Sequence, residues 1–250
     1  MAGAAPEQSQ SFPVEAVLEL LASGEIEIQG QLPRSSNYTF LVIVRTHELQ
    51  IPAVYKPRRG ERPLWDFPSG TLGQREVASH VVSEALGWML VPPTVLRDGP
   101  HGQGMVQLYI NCDPRENYFT LGKRFPDQFK RMAVFDALIN NADRKAGHCL
   151  RDEEGHIWGI DHGVCFHQEP KLRTVIWEFA GSKIPAVLIR DLQSLRDRLA
   201  SDSEPVAKVL RSLLAAREVE ALRRRADDLI KKAKLPVPDP YQRQTPWPAI

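Results

Sequence analysis

Asn140-Asn141-Ala142-Asp143-Arg144-Lys145-Ala146-Gly147-His148 and, a short way on, Gly159-Ile160-Asp161-His162-Gly163 decide how this chain is read. Asp161 stands eighteen residues after Asp143, each carboxylate follows an apolar run, and a short hairpin lies between them. Phosphoryl transfer from a metal-bound nucleotide asks for such a pair. One Asp orients or deprotonates the acceptor hydroxyl, and the other holds the metal that neutralises the phosphates. The pair gains weight if a phosphate-binding turn, a lysine and a glutamate precede it in that order.

All three are present upstream. Ser35-Ser36-Asn37 sits in the turn between strands expected over 25–29 and 38–44. Backbone N–H groups and short hydroxyls there can grip phosphate oxygens, although the same residues suit any hairpin loop. Lys56 ends a third short strand, 51–56, and Glu76 lies twenty residues on, in the first turn of a helix expected over 74–86. A glutamate that fixes a lysine against the α- and β-phosphates is a phosphotransfer arrangement; a surface ion pair is the plain alternative. Val106-Gln107-Leu108 would offer backbone groups to an adenine edge.

Inside the first motif several readings stay open. Arg144 could pair Asp161 or a phosphate. His148 could ligate a metal through a neutral imidazole or cover the hairpin as a polar lid. Asn140 and Asn141 belong to an active site, or they supply the left-handed turn that ends a helix.

Working outward, the first 110 residues read as a mostly antiparallel sheet with two helices, and the rest as mainly helical, which makes the chain α+β. Pro52 hints that the third strand is an edge. The 57–73 segment, rich in Gly, Pro and Arg, reads as a functional loop whose Trp65 and Phe67 need packing. Helices are expected over 127–140, 185–199 and 205–232, the last capped by Ser203. The divisions are a lead-in over 1–12, a phosphate-binding lobe over 13–110, a lobe with the catalytic and metal motifs over 111–235, and a Pro-rich tail over 236–250. Tyr241 and Trp247 are the expected anchors of that tail.

Composition bounds the function. A net charge of +1 argues against nucleic-acid binding by bulk charge. Cys112, Cys149 and Cys165 show no paired spacing, which fits a reducing cytoplasm better than a disulfide scaffold. No window approaches the apolar length of a membrane span, so the chain reads as soluble.

Taken in order, these motifs resemble the phosphatidylinositol 3-/4-kinase-like superfamily of atypical kinases, over roughly residues 24–199. The match is closest to a compact actinobacterial kinase-like group, with HipA-type and type II phosphatidylinositol 4-kinases more distant. Val54-Tyr55-Lys56-Pro57 resembles the nucleotide-lysine motif, 140–145 the catalytic loop and 159–163 the metal motif. The resemblance implies a bilobal protein-kinase-like fold with an antiparallel-sheet N-lobe and a mainly helical C-lobe. It implies ATP with Mg²⁺ or Mn²⁺ and a catalytic loop containing Asp143, Arg144 and Lys145. The family loop carries a metal-binding Asn where His148 stands, and a Phe where His162 stands. Imidazole suits softer metals than Mg²⁺, which implies Mn²⁺ preference or weak activity. The acceptor is a small molecule, a lipid headgroup or a protein. A pseudokinase or nucleotide-binding regulatory module and a HipA-like Ser/Thr kinase are the alternatives.

Overall fold

The computed structural model describes residues 12–32, 38–241 and 243–250. Helix α1 (Val14–Ser23) turns Val17, Leu20 and Leu21 inward and stops at Gly24, whose N–H closes on the Leu20 carbonyl. Arg97 donates to the Leu21 and Gly24 carbonyls, filling acceptors that a helix end leaves open. Strands β1 (Glu25–Gln31), β2 (Phe40–Arg45), β3 (Gln50–Pro57), β4 (Thr94–Gly99) and β5 (Gly102–Leu108) form one antiparallel sheet in the order β1-β2-β3-β5-β4. Helix α2 (Leu72–Ala85) packs against β4 and β5.

The edge expectation for β3 is corrected: it is the middle strand. In an antiparallel ladder a residue's N–H and C=O face the same neighbour. The Pro52 carbonyl accepts the Tyr109 N–H at 3.1 Å, while the β3–β5 pairing stops at Ala53↔Leu108. The missing donor of Pro52 therefore faces a place where the ladder has already ended.

The second half holds α3 (Tyr118–Leu121), α4 (Pro126–Ile139), the hairpin β6 (Cys149–Arg151) and β7 (Ile157–Gly159), α5 (Ala186–Ala200), α6 (Pro205–Leu213) and α7 (Ala216–Lys232). The single long helix expected over 205–232 is two. The break falls at Leu214 and Ala215, where Glu218 reaches back to accept the Ala215 N–H at 3.0 Å and starts a new helix. Ser203 does not cap α6; Glu204 stands there, with no side-chain cap bond.

Two apolar clusters carry the fold. Leu21, Val42, Val44, Ala53, Tyr55 and Val106 close the space between α1 and the sheet. A larger cluster joins α2 through Ala78 and Val82 to Phe129, Met132, Phe135 and Leu138 of α4 and to α5, α6 and α7. The sheet and the helical half thus meet through α2. Among the described residues no helix is long and apolar enough to cross a membrane.

Candidate active site

Lys56, next to last in β3, holds its ammonium between two carboxylates. Its Nζ lies 2.8 Å from Glu76 Oε1 and 2.7 Å from Asp161 Oδ1. Burial alone would lower the Lys56 pKa, but Asp161 and Glu76 more than reverse this and hold it charged. The carboxylates share that charge unequally. Lys56 holds Asp161 far below the usual carboxylate range against the opposing effect of burial. Burial dominates at Glu76 and raises its pKa, with Lys56 opposing. The nearby charges differ: His148 and His162 also favour the Asp161 carboxylate, whereas Asp161 itself disfavours charge on Glu76.

Asp161 has φ +63°, a left-handed conformation that Asp tolerates better than most residues. That turn aims the next N–H, from His162, at Glu76 Oε2, 2.8 Å away. Gly159 lies in a crowded place: a Cβ there would meet Arg144 Nη2 at 3.2 Å and His162 Cε1 at 3.3 Å, so these side chains would have to give way slightly.

Asn140 ends α4 in the left-handed region, and its side chain ties down the carbonyls of His167 and Glu169 and the N–H of Lys171. Asn141 donates to Asp136 Oδ1 and accepts the Asp143 N–H, both at 2.9 Å. The two asparagines are therefore scaffold, and Asn141 fixes the backbone of the candidate catalytic residue. The partners read for Arg144 need correction. It faces neither Asp161 nor the cleft. Its fully buried guanidinium is 2.9 Å from Asp136 Oδ2 and also donates to the His148 and Ile160 carbonyls and toward His162. Buried charge of this size needs an opposite charge and full hydrogen bonding, and Asp136 provides the first.

Asp143 and Lys145 do face each other, with Nζ 3.5 Å from Oδ2. Burial pushes the Asp143 carboxyl up to about 6, with Lys145 opposing and Asp161 adding to the rise. His148 places Nε2 3.3 Å from Asp161 Oδ2, while its Nδ1 accepts the Lys145 N–H at 3.5 Å. Burial pushes this imidazole down to about 4, so it is neutral at neutral pH. With Nδ1 accepting, the ring proton sits on Nε2 and points at Asp161. A metal at Nε2 would have to take the place of that contact. Among the described residues no cluster of three or more His, Cys, Asp or Glu is arranged to hold an ion unaided. The donors fit instead a cation held by one or two protein ligands and completed by phosphates and water.

Two cavities meet at this cluster. One of ≈ 180 Å³ is lined by Lys56, Arg62, Leu64, Glu76, Asp143 and Asp161. The other, ≈ 570 Å³, runs along Val54, Gln107, Leu108, Leu150, Ile160 and Asp161. Gln107 gives its side-chain amide to Thr94. The N–H of Leu108 goes to Pro93 and that of Tyr109 to Pro52. Of the backbone groups expected for a base edge, the Leu108 donor is therefore taken. Ser35, Ser36 and Asn37 lie outside the described residues.

Sequence reasoning missed Asp136, Arg75 and Glu61. Arg75, next to Glu76 on α2, is buried, with Nη2 2.7 Å from Glu218 Oε1 and Nη1 on the Cys165 carbonyl. Glu61 accepts the Leu72 and Gly73 N–H groups that open α2. An Asp in the apolar run Val134-Phe135-Asp136-Ala137-Leu138 was a readable signal for the first; the others depend on distant partners. In the 57–73 loop Phe67 is buried, but Trp65 is 91% exposed and stands over Lys171, whose Nζ pairs with Asp66 at 2.9 Å.

Comparison with known proteins adds the following. The family model described as "Phosphatidylinositol 3- and 4-kinase" matches residues 97–239, more than half of the chain. Protein Rv2133c of Mycobacterium tuberculosis is 40% identical over 92% of this chain and 94% of its own length. Phosphatidylinositol 4-kinase gamma 4 of Oryza sativa subsp. japonica is 31% identical over 41% of this chain and 22% of its own. Among solved structures, the Golgi casein kinase with Mn/ADP bound matches at TM-score 0.56 and 13% identity, over 88% of this chain and 75% of that one. The Helicobacter pylori proinflammatory kinase CtkA matches at TM-score 0.53 and 13% identity, over 85% and 97%. The fold is therefore the bilobal kinase-like one, with an antiparallel-sheet N-lobe and a mainly helical C-lobe.

Proposed function

Because this chain belongs to the phosphatidylinositol 3- and 4-kinase family, we propose that it is an ATP- and divalent-metal-dependent phosphotransferase acting on a hydroxyl acceptor. One observation carries the reading: Lys56 bridges Glu76 and Asp161 on the cavity that Asp143 also lines. The sheet lobe, 13–110, holds the phosphates through Lys56, which Glu76 positions. The 111–235 lobe supplies the chemistry. The base lies in the larger cleft, along Gln107 and Leu108.

In this reading Asp143 takes the proton of the acceptor hydroxyl, its backbone fixed by Asn141. Lys145 steadies the carboxylate and meets a phosphate oxygen. Asp161 would hold Mg²⁺ or Mn²⁺, with His148 beside it, and the bound cation would neutralise phosphate charge. Arg144 acts only by holding the loop. The acceptor class is open, and the 57–73 loop with Arg62 and Leu64 shapes its pocket.

The test is a pair of variants. Asp143→Asn abolishes transfer and keeps nucleotide binding, whereas Asp161→Ala loses metal-dependent nucleotide affinity. Full turnover by Asp143→Asn sinks the assignment. A nucleotide-binding module without turnover is the rival reading, favoured by His148 at a position where the family has Asn. A thermal shift with ATP and Mn²⁺ but no ATP consumed over hours would select it.

A further inference from the structure

The segment 243–250 lies against the loop that carries Asp143. The Gln244 carbonyl accepts two donors, Thr174 N–H at 3.1 Å and Trp177 Nε1–H at 2.9 Å. Thr174 is bridged in turn to Arg144, whose N–H goes to the Arg173 carbonyl and whose carbonyl accepts the Val175 N–H. Farther along, the Ala249 carbonyl accepts the Ala146 N–H at 2.8 Å. Ala146 opens the tight turn Ala146–His148 and is fully buried. An N–H at that place has no partner within its own turn, and leaving it unpaired in the interior is costly. Ile250 then joins Lys56, Gln107, Leu150, Ile160 and Asp161 in the wall of the ≈ 570 Å³ cleft.

The expected aromatic anchors do not make this contact, since Tyr241 is 95% and Trp247 80% exposed. Pro246 is buried instead. Pro246 and Pro248 bring no N–H, so these two positions add no donor that would need a partner of its own.

We infer that residues 243–250 are a working part of the site. They form a main-chain strap that positions the turn after Asp143 and, through Ile250, completes one side of the nucleotide cleft. The role of Ile250 rests on the nucleotide reading above; the strap does not.

The experiment compares the full chain with a deletion of 243–250, with Ile250→Asp and with Tyr241→Ala. Two readouts are used: hydrogen exchange at the Ala146 amide without ligand, and binding of ADP with Mn²⁺. Deletion speeds exchange at Ala146 by about tenfold or more and weakens ADP binding by about tenfold. Ile250→Asp weakens ADP binding severalfold and leaves Ala146 protected. Tyr241→Ala matches the full chain in both. Unchanged exchange at Ala146 in the deletion overturns the strap, and unchanged ADP affinity in Ile250→Asp overturns the cleft wall. Should the deletion not fold, exchange in the full chain decides: the strap requires the Ala146 and Thr174 amides to open together, and independent opening overturns it. Absence of ADP binding by the full chain overturns the nucleotide reading and, with it, the role of Ile250. The exchange result then stands alone for the strap.

Discussion

Asp143, the proposed base, sits in a setting that resists its charge. Burial lifts its pKa to about 6, which places a base near the operating pH. Transfer should therefore rise with pH through a midpoint near 6, measured as initial rate against pH. Lys145→Met should move that midpoint upward, because the ammonium 3.5 Å away is what opposes the rise. A downward move would contradict the arrangement. The same shift makes a stability statement. The folded protein keeps a proton on Asp143 that the unfolded chain releases near pH 4. The cost of the carboxylate is absent below about pH 4, grows between about pH 4 and 6, and is fully present at pH 7.5. Asp143→Asn should then be more stable by roughly 1–2 kcal/mol at pH 7.5, discounted because a third of the side chain is exposed. Thermal melts at pH 7.5 and pH 4 check this, with the difference vanishing at the lower pH. Lys56, Glu76, Asp143 and Asp161 were legible in the sequence because their order and spacing along the chain carry the pattern. Arg144 was not, because a charge beside a catalytic motif looks the same whether it points into the cleft or away from it.

Helix α4 ends where the chemistry starts, and Asp136 near its last turn is the joint. It accepts from both Asn141 and Arg144, and Arg144 reaches on to the carbonyls at His148 and Ile160. One buried pair thus ties a helix end, the loop of Asp143 and the hairpin that leads to Asp161. Removing one partner leaves the other charged and buried, at a cost of about 3–5 kcal/mol. Asp136→Leu should lose that much in a denaturant melt, while Arg144→Lys should recover little, since an ammonium cannot span the same acceptors. An equal loss of less than about 1 kcal/mol in both would mean the pair is not the joint. The long helices were readable in the sequence, but the four-residue α3 was not. The split into α6 and α7 was not, because it depends on Glu218 turning back to Ala215 while also serving Arg75 from a distant helix.

Across the whole molecule, α2 faces both ways. Glu76 points to Lys56 and to the His162 N–H, and its neighbour Arg75 points to Glu218 and the Cys165 carbonyl. Asp66 and Lys171, with side chains 13% and 11% exposed, add a second tie between the 57–73 loop and the helical half. Arg75→Met should cost about 3–5 kcal/mol and also loosen Glu76, so ADP affinity should fall although Arg75 touches no part of the cleft. A stability loss with unchanged affinity would confine Arg75 to the fold. The α+β architecture could be read from the order of strands and helices, but these cross-links could not, because each joins residues far apart in the chain. Their consequence concerns control. Helix α2 is held by a buried ion pair on one side and by the lysine on the other. For the proposed transferase this means that the Lys56–Glu76 contact is in place before any ligand arrives, so activity should respond to ligand supply rather than to a movement of this helix.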